Sequence, residues 1–336
     1  MIRLVAPIRT AWASRYVEFI AEIETFTGSQ LTVDDGSSFE PIGRYPRKSS
    51  FAETALSTSI PSQTPQLVSP LRDLDAWTAH FSTAKIPVLS STRDALEEFR
   101  ANEDLADANS LGEMISGDPL MTLKVFSHAA AHRSSRMTTD TETVIAALVM
   151  MGISPFFGAF ELQPTVEDQL ADNPDALAGL AETMRRAHRG ATFALAFAVH
   201  RMDSDAAMVH TAALLHDFAD MLLWCHAPKL ALDIQRAQRN DSALRSNAVQ
   251  LDRLNVELPD LQQSLMKVWR LPELLIRISD DRHAQHPSVR TVALAVRLAR
   301  HTSRGWDNAA VPDDVKDIAA LLNLTQTATL LLVEGV

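Results

Sequence analysis

Apolar residues recur at helical spacing through most of this chain. The clearest run is Ala206–Cys225, where Met208, Ala212, Leu215, Ala219 and Leu222 repeat and charges are few. The pattern predicts one long buried helix with His216 and Asp217 near its middle. Two adjacent polar side chains on such a helix are costly to bury unless something pairs with them. Either they bind a cation or they hydrogen-bond a neighbouring element.

Helical periodicity sets in near Leu74, with Trp77 and Phe81. Ile86–Leu89 reads as extended, because a proline pushes the residue before it out of helix. A helix follows over Ser91–Phe99. Asn109 and Ser110 offer an N-cap, Ser110 forming a capping box with Glu113, for a helix that stops near Ser116 and Gly117. Asp118 caps the next helix and Pro119 occupies its first turn, with Leu120, Leu123, Val125 and Phe126 on the buried side. Thr139–Met151 predicts another, ending at Gly152. Val144–Phe160 is the longest uncharged apolar run, but Gly152, Pro155 and Gly158 interrupt it. It falls short of the ~20 residues a membrane span needs, so it reads as helix, turn and helix. Polar Gln163–Pro174 forms a junction. Leu177–Met202 then predicts a long helix whose stripe runs from Leu180 and Met184 to Ala198 and Met202, with His188 at its edge. Further helices are expected over Lys229–Arg239, Ala243–Val256, Asp260–Arg270, Glu273–Ser279, Ser288–His301, Asp313–Asn323 and Thr325–Val333. There are no hairpin signals and no repeats.

Residues 1–73 differ from the rest. Pro7–Phe26 predicts a short amphipathic helix, with Trp12, Tyr16, Phe19, Ile20 and Ile23 on one side. Ser49–Pro70 is biased to Ser, Thr and Pro, too little apolar surface to offset ordering entropy, and reads as a linker. The expected organisation is an N-terminal extension and linker over 1–73, then a domain over 74–336 with one helical lobe at 74–162 and a second at 175–336.

Composition agrees with an all-α fold. Of 336 residues 46% are hydrophobic, while 11 glycines and 2 tyrosines are few for a sheet protein. The formal charge of −11 argues against nucleic-acid binding, which needs clustered Lys and Arg. Cys225 is the single cysteine, so no intrachain disulfide forms, and its apolar surroundings predict a buried, inert thiol. Arg3 and Arg9 break any apolar core at the N-terminus, so a cytoplasmic protein is expected. The basic exception is Lys267–Arg304, with Arg270, Arg277, Arg282, Arg290, Arg297 and Arg300 against Glu273, Asp280 and Asp281. It reads as a solvated, ion-paired helix face, or else as a seat for an anionic nucleotide or an acidic partner. Arg93, Arg133, Arg136, Arg185, Arg186 and Arg189 read as surface. His128 and His132 lie four apart without an acidic companion and read as a chance pair.

Five segments together resemble the HDOD family, degenerate relatives of the HD-domain phosphohydrolases. They are Lys85–Leu89 (KIPVL), Ile115–Val125 (ISGDPLMTLKV), Ala146–Ile153 (AALVMMGI), Ala213–Met221 (ALLHDFADM) and Trp269–Ile278 (WRLPELLIRI). The resemblance runs from about Trp77 to the C-terminus and leaves the first 73 residues unexplained. It implies a two-lobed all-α bundle and a bacterial signalling role as an output or docking module.

The resemblance also implies where a metal would be sought. Catalytic HD enzymes hold a divalent cation with a His on a preceding helix, the His-Asp pair and a later Asp. His188, His216 and Asp217 match the first three. The later positions do not: Leu258 stands where a His is expected, Arg282-His283 replaces a His pair, and the Arg297–His301 segment (RLARH) carries no Asp. After His-Asp the helper lysine is missing, since Phe218-Ala219-Asp220 follows. Asp280, Asp281 and His283 are the substitutes within reach. His188, His216 and Asp217 are therefore expected to be the vestige of a metal site, holding helices together, with no catalytic residues and no cofactor. The expected function is regulatory, through contacts with a signalling partner. The alternatives are a metal-dependent phosphohydrolase and a nucleotide-binding sensor.

Overall fold

The computed structural model describes residues 65–133, 141–241 and 244–336. The Pro7–Phe26 helix and most of the Ser49–Pro70 linker fall outside these residues. The described part is all-α. Its helices are α1 (Leu74–Thr83), α2 (Ser90–Ala101), α3 (Ala108–Ser116), α4 (Pro119–Ala131), α5 (Val144–Met151), α6 (Ile153–Ala159) and α7 (Val166–Gln169). They continue as α8 (Pro174–His200), α9 (Ala206–Leu214), α10 (Phe218–His226), α11 (Pro228–Asn240), α12 (Ser246–Leu254), α13 (Leu258–Val268), α14 (Glu273–Ile278), α15 (Pro287–His301), α16 (Val311–Leu322) and α17 (Gln326–Glu334). Among the described residues the β pairing is one parallel bridge, Val88 to Thr165, in the stretch where Pro87 keeps the chain extended. No described helix is long and apolar enough to cross a membrane.

Local chemistry sets most boundaries. The Asp118 carboxylate accepts from the Leu120 and Met121 amides and so caps α4, whose first residue is Pro119. Its other oxygen accepts from the Leu89 amide and the Thr92 hydroxyl, which ties α2 to the same point. Six residues on, Lys124 donates to the Ile86 carbonyl and to Gln163, and burial lowers its pKa to about 8. The Asp-Pro and Lys of the ISGDPLMTLKV segment thus fasten the extended 86–89 stretch. Gly152 takes φ +80 between α5 and α6, a turn that a side chain would strain.

Two expected boundaries change. The α3 cap is Asp107, which accepts from the Asn109 and Ser110 amides, so Asn109 and Ser110 are capped rather than capping. The predicted Ala206–Cys225 helix is two helices, α9 and α10. His216 N–H bonds the Ala213 carbonyl and Phe218 N–H bonds the Leu215 carbonyl, three-residue closures that tighten the chain and end α9. The apolar period runs through the break because Leu215, Phe218 and Ala219 all still face the core. His216 and Asp217 thereby fall in the turn between the two helices.

The 27-residue α8 is the spine, packed most extensively on α15 and α9 and also on α10 and α11. Contact is close where side chains are small: a Cβ on Gly179 would sit 2.4 Å from the Trp224 ring. The first helix does not stay with its sequence neighbours. α1 lies on α13, with Trp77 fully buried and its indole N–H donating to the Leu254 carbonyl at 2.8 Å. α10 in turn packs on α4.

Candidate functional site

The break between α9 and α10 opens onto a cleft of about 530 Å³. The turn itself supplies His216 and Asp217, and the first turn of α10 supplies Asp220. Arg186 enters from α8, Arg300 from the end of α15, and Asp281 from the short 3-10 turn Asp281–His283. Leu258, at the place where the resemblance leads one to expect a histidine, is part of the wall.

The polar groups form a chain of contacts. His216 donates through Nδ1 to Asp217 Oδ1 at 2.9 Å and through Nε2 to Asp281 Oδ2 at 3.2 Å. Arg300 Nη2 donates to the same Asp217 oxygen at 2.8 Å. Burial opposes charge on His216, but the hydrogen bonds to Asp217 and Asp281 outweigh it and raise its pKa to about 9. Burial likewise opposes charge on Asp217, yet Arg300 and His216 hold its carboxyl far below the ordinary carboxylate range. Asp217 raises Arg300 in return. Asp220 accepts from Thr183 Oγ1 at 3.2 Å and lies 3.7 Å from Arg186, but burial dominates and lifts its pKa to about 6.

His188 is not in this group. It is absent from the cleft walls, and its neighbours are His210 on α9 and the backbone of Gly117. Burial and the His210 charge lower it to about 4. The structure therefore brings together two of the three candidates, His216 and Asp217, and sets His188 apart. Asp281, named from sequence as a substitute, does join them, while Asp280 pairs with Arg282 and His283. His128 and His132 stack their rings at 4.1 Å. One participant was not expected: Arg186, read as surface, faces the cleft. Arg300 lies in the RLARH segment that the resemblance places at a later ligand position, and it is the partner of Asp217. The 183–186 spacing on α8 was the available signal.

A divalent cation does not fit this arrangement. Both ring nitrogens of His216 are already turned to carboxylates, Nδ1 to Asp217 and Nε2 to Asp281, so neither faces an open coordination position. Arg300 already pairs with Asp217 and Arg186 lies beside Asp220, so the two carboxylates of the α10 turn each have a guanidinium at hand in place of a metal. Among the described residues no group of three or more His, Cys, Asp or Glu is placed to hold a metal ion.

The basic segment is partly consumed by internal ion pairs. Arg297 pairs with Asp314 at 2.7 Å and Asp317 at 2.6 Å, and Arg282 pairs with Asp280 at 2.8 Å. Lys267, Arg270, Arg277, Arg290 and Arg304 face solvent.

The sequence profile of the HDOD domain matches residues 86–285. The chain belongs to the HDOD family. As an HDOD protein it shares its fold with the MmoQ response regulator from Methylococcus capsulatus str. Bath, at a TM-score of 0.57 and 17% identity over 75% of this chain and 99% of that one. A virulence factor from Campylobacter jejuni subsp. jejuni is similar at a TM-score of 0.52 and 18% identity, over 77% of this chain and 97% of that one. No curated protein matches the sequence. HDOD membership accounts for the five motif segments, two of which, around Asp118 and His216, now have definite structural partners.

Proposed function

We propose that this HDOD protein is a non-catalytic signal-transduction component that acts through protein–protein contacts. The observation that carries the reading is the Arg300–Asp217–His216–Asp281 chain, in which a guanidinium and a doubly donating imidazole use up the groups a metal would need. In this reading His216 and Asp217 join α9 and α10 to α15 and to the 280s turn. That MmoQ, which shares the fold, is a response regulator is in keeping with a signalling role. An anionic nucleotide at 267–304 has less support, because Arg282, Arg297 and Arg300 are each committed to aspartates.

Metal content of the purified chain, combined with turnover assays on nucleotides and cyclic dinucleotides in Mn²⁺ or Mg²⁺, tests this reading. Substoichiometric metal and no turnover are expected. Stoichiometric metal with turnover abolished by His216→Ala would overturn it.

A further inference from the structure

The cleft has a second wall that the ion-pair chain does not use. It is formed where α13 begins, by Glu257, Asp260 and Gln262. Glu257 is half-buried and meets no cation among the described residues. Asp260 reaches only Arg282, at 3.7 Å, and both are solvent-exposed. Gln262 is more telling. It is only 4% exposed, it faces the cleft, and neither amide atom has a protein hydrogen-bond partner among the described residues. Ser279, 6% exposed and also in the cleft wall, has an Oγ without a partner. Buried polar groups are rarely left unpaired; the Ser279 hydroxyl is one such group, and the Gln262 amide in the same wall keeps its hydrogen-bonding capacity for whatever enters the cleft.

The charge of the cleft indicates what kind of group that is. Six carboxylates line it against three arginines, so even with His216 protonated the balance stays negative. The arginines are turned towards carboxylates of the floor and the 280s turn. What remains open on the α13 wall is a carboxylate at Glu257 and the Gln262 amide, whose oxygen accepts and whose nitrogen donates. The carboxylate suits a cationic N–H donor and repels a phosphate, and the amide oxygen can take a second N–H of the same donor.

We propose that the cleft receives a basic side chain, arginine or lysine, presented by a partner polypeptide, with Glu257 and Gln262 as its principal contacts. The proposal rests on the protein-contact reading above and names the chemistry of the partner. It also sets the cleft against the nucleotide alternative, since the two ligands carry opposite charge.

Fluorescence anisotropy of the full chain with a labelled peptide carrying three arginines, at physiological salt, tests it. Control peptides carry three citrullines or three glutamates, and metal-free ATP is added as a competitor. The arginine peptide should bind at least tenfold more tightly than the citrulline peptide. Glu257→Gln and, separately, Gln262→Ala should weaken it at least fivefold, while Asp172→Asn, an exposed carboxylate away from the cleft, leaves it unchanged. Thermal melts of both cleft variants check folding, and the two substitutions serve as independent probes of the wall. Equal weakening by Asp172→Asn, no preference over citrulline, or tight ATP binding that Glu257→Gln leaves intact or strengthens would overturn the proposal. Turnover assays fail or succeed separately: turnover would sink the non-catalytic reading alone, whereas loss of peptide specificity sinks only this one.

Discussion

Arg300 Nη2 lies 2.8 Å from Asp217 Oδ1, the oxygen that also accepts from His216 Nδ1. One carboxylate oxygen thus neutralises two cations from different elements. Asp217 is 14% and His216 10% exposed, so removing the carboxylate charge leaves the buried imidazole short of its partner, while Arg300, 51% exposed, keeps contact with water. Asp217→Asn should cost about 2–4 kcal/mol in urea unfolding. Asp281→Asn should cost less than about 1 kcal/mol, because Asp281 is 55% exposed and screened. A wild-type midpoint for Asp217→Asn would show that the pair contributes nothing to the fold.

The neighbouring carboxylate is predicted to behave in the opposite way. Burial lifts Asp220 to about 6, above its unfolded value near 3.8, so its ionisation works against the folded state. Stability associated with it is present below about pH 4 and is lost as pH rises through 6. Asp220→Asn keeps an acceptor for Thr183 and leaves Arg186 with Glu182. The variant should match or exceed wild-type stability at pH 7, by up to about 2 kcal/mol. A loss larger than about 1 kcal/mol at pH 7 would contradict this.

Stability should peak near neutrality. Burial lowers His188, His210 and His226 to about 4, below the unfolded 6.5, so they contribute stability above pH 6.5 that declines as pH falls towards 4. His216 is raised to about 9 and acts in the other direction. Its contribution is complete below pH 6.5 and is lost as pH rises through 9. Unfolding free energies from pH 4 to 9.5 should trace a bell, and in His216→Gln the alkaline limb should flatten while the acid limb stays. An unchanged alkaline limb in that variant would assign the descent to other groups.

Asp118 should be among the costliest residues to truncate. Asp118→Ala leaves the Leu89, Leu120 and Met121 amides and the Thr92 hydroxyl without their acceptor in a fully buried place. A loss of at least about 3 kcal/mol is expected, with Asp118→Asn recovering part of it. Hydrogen exchange at Leu120 and Met121 reads the effect locally.

Gly179→Ala is the packing counterpart. The added Cβ meets the Trp224 ring, a rigid group enclosed in the core. A cost of about 1–3 kcal/mol is expected, together with a shift in tryptophan emission.

Most of the helices could be read from sequence because their signals are local. Asp118-Pro119 and Gly152 punctuate the chain where the structure does, and the junction after Gln163 holds only the short α7. The break at His216 left no such mark, since the apolar period continues through it on Leu215 and Phe218. The site was legible only in part for a related reason. His216 and Asp217 are adjacent in sequence, but Arg300 joins them across 83 residues, a distance no spacing rule covers. His188 was matched through the resemblance as the histidine of the preceding helix, but on α8 it is Arg186 that lines the cleft, and His188 meets His210 instead.

The stretch matched by the HDOD profile ends at residue 285, fifteen residues before Arg300. The pair that invites a hydrolase reading lies within that stretch, and the cation that answers it lies outside. Family members compared only over the matched stretch would therefore sort together whether or not their α15 carries an arginine at this point. The residue that separates an occupied acid pair from an available one is to be sought downstream, on the helix that follows.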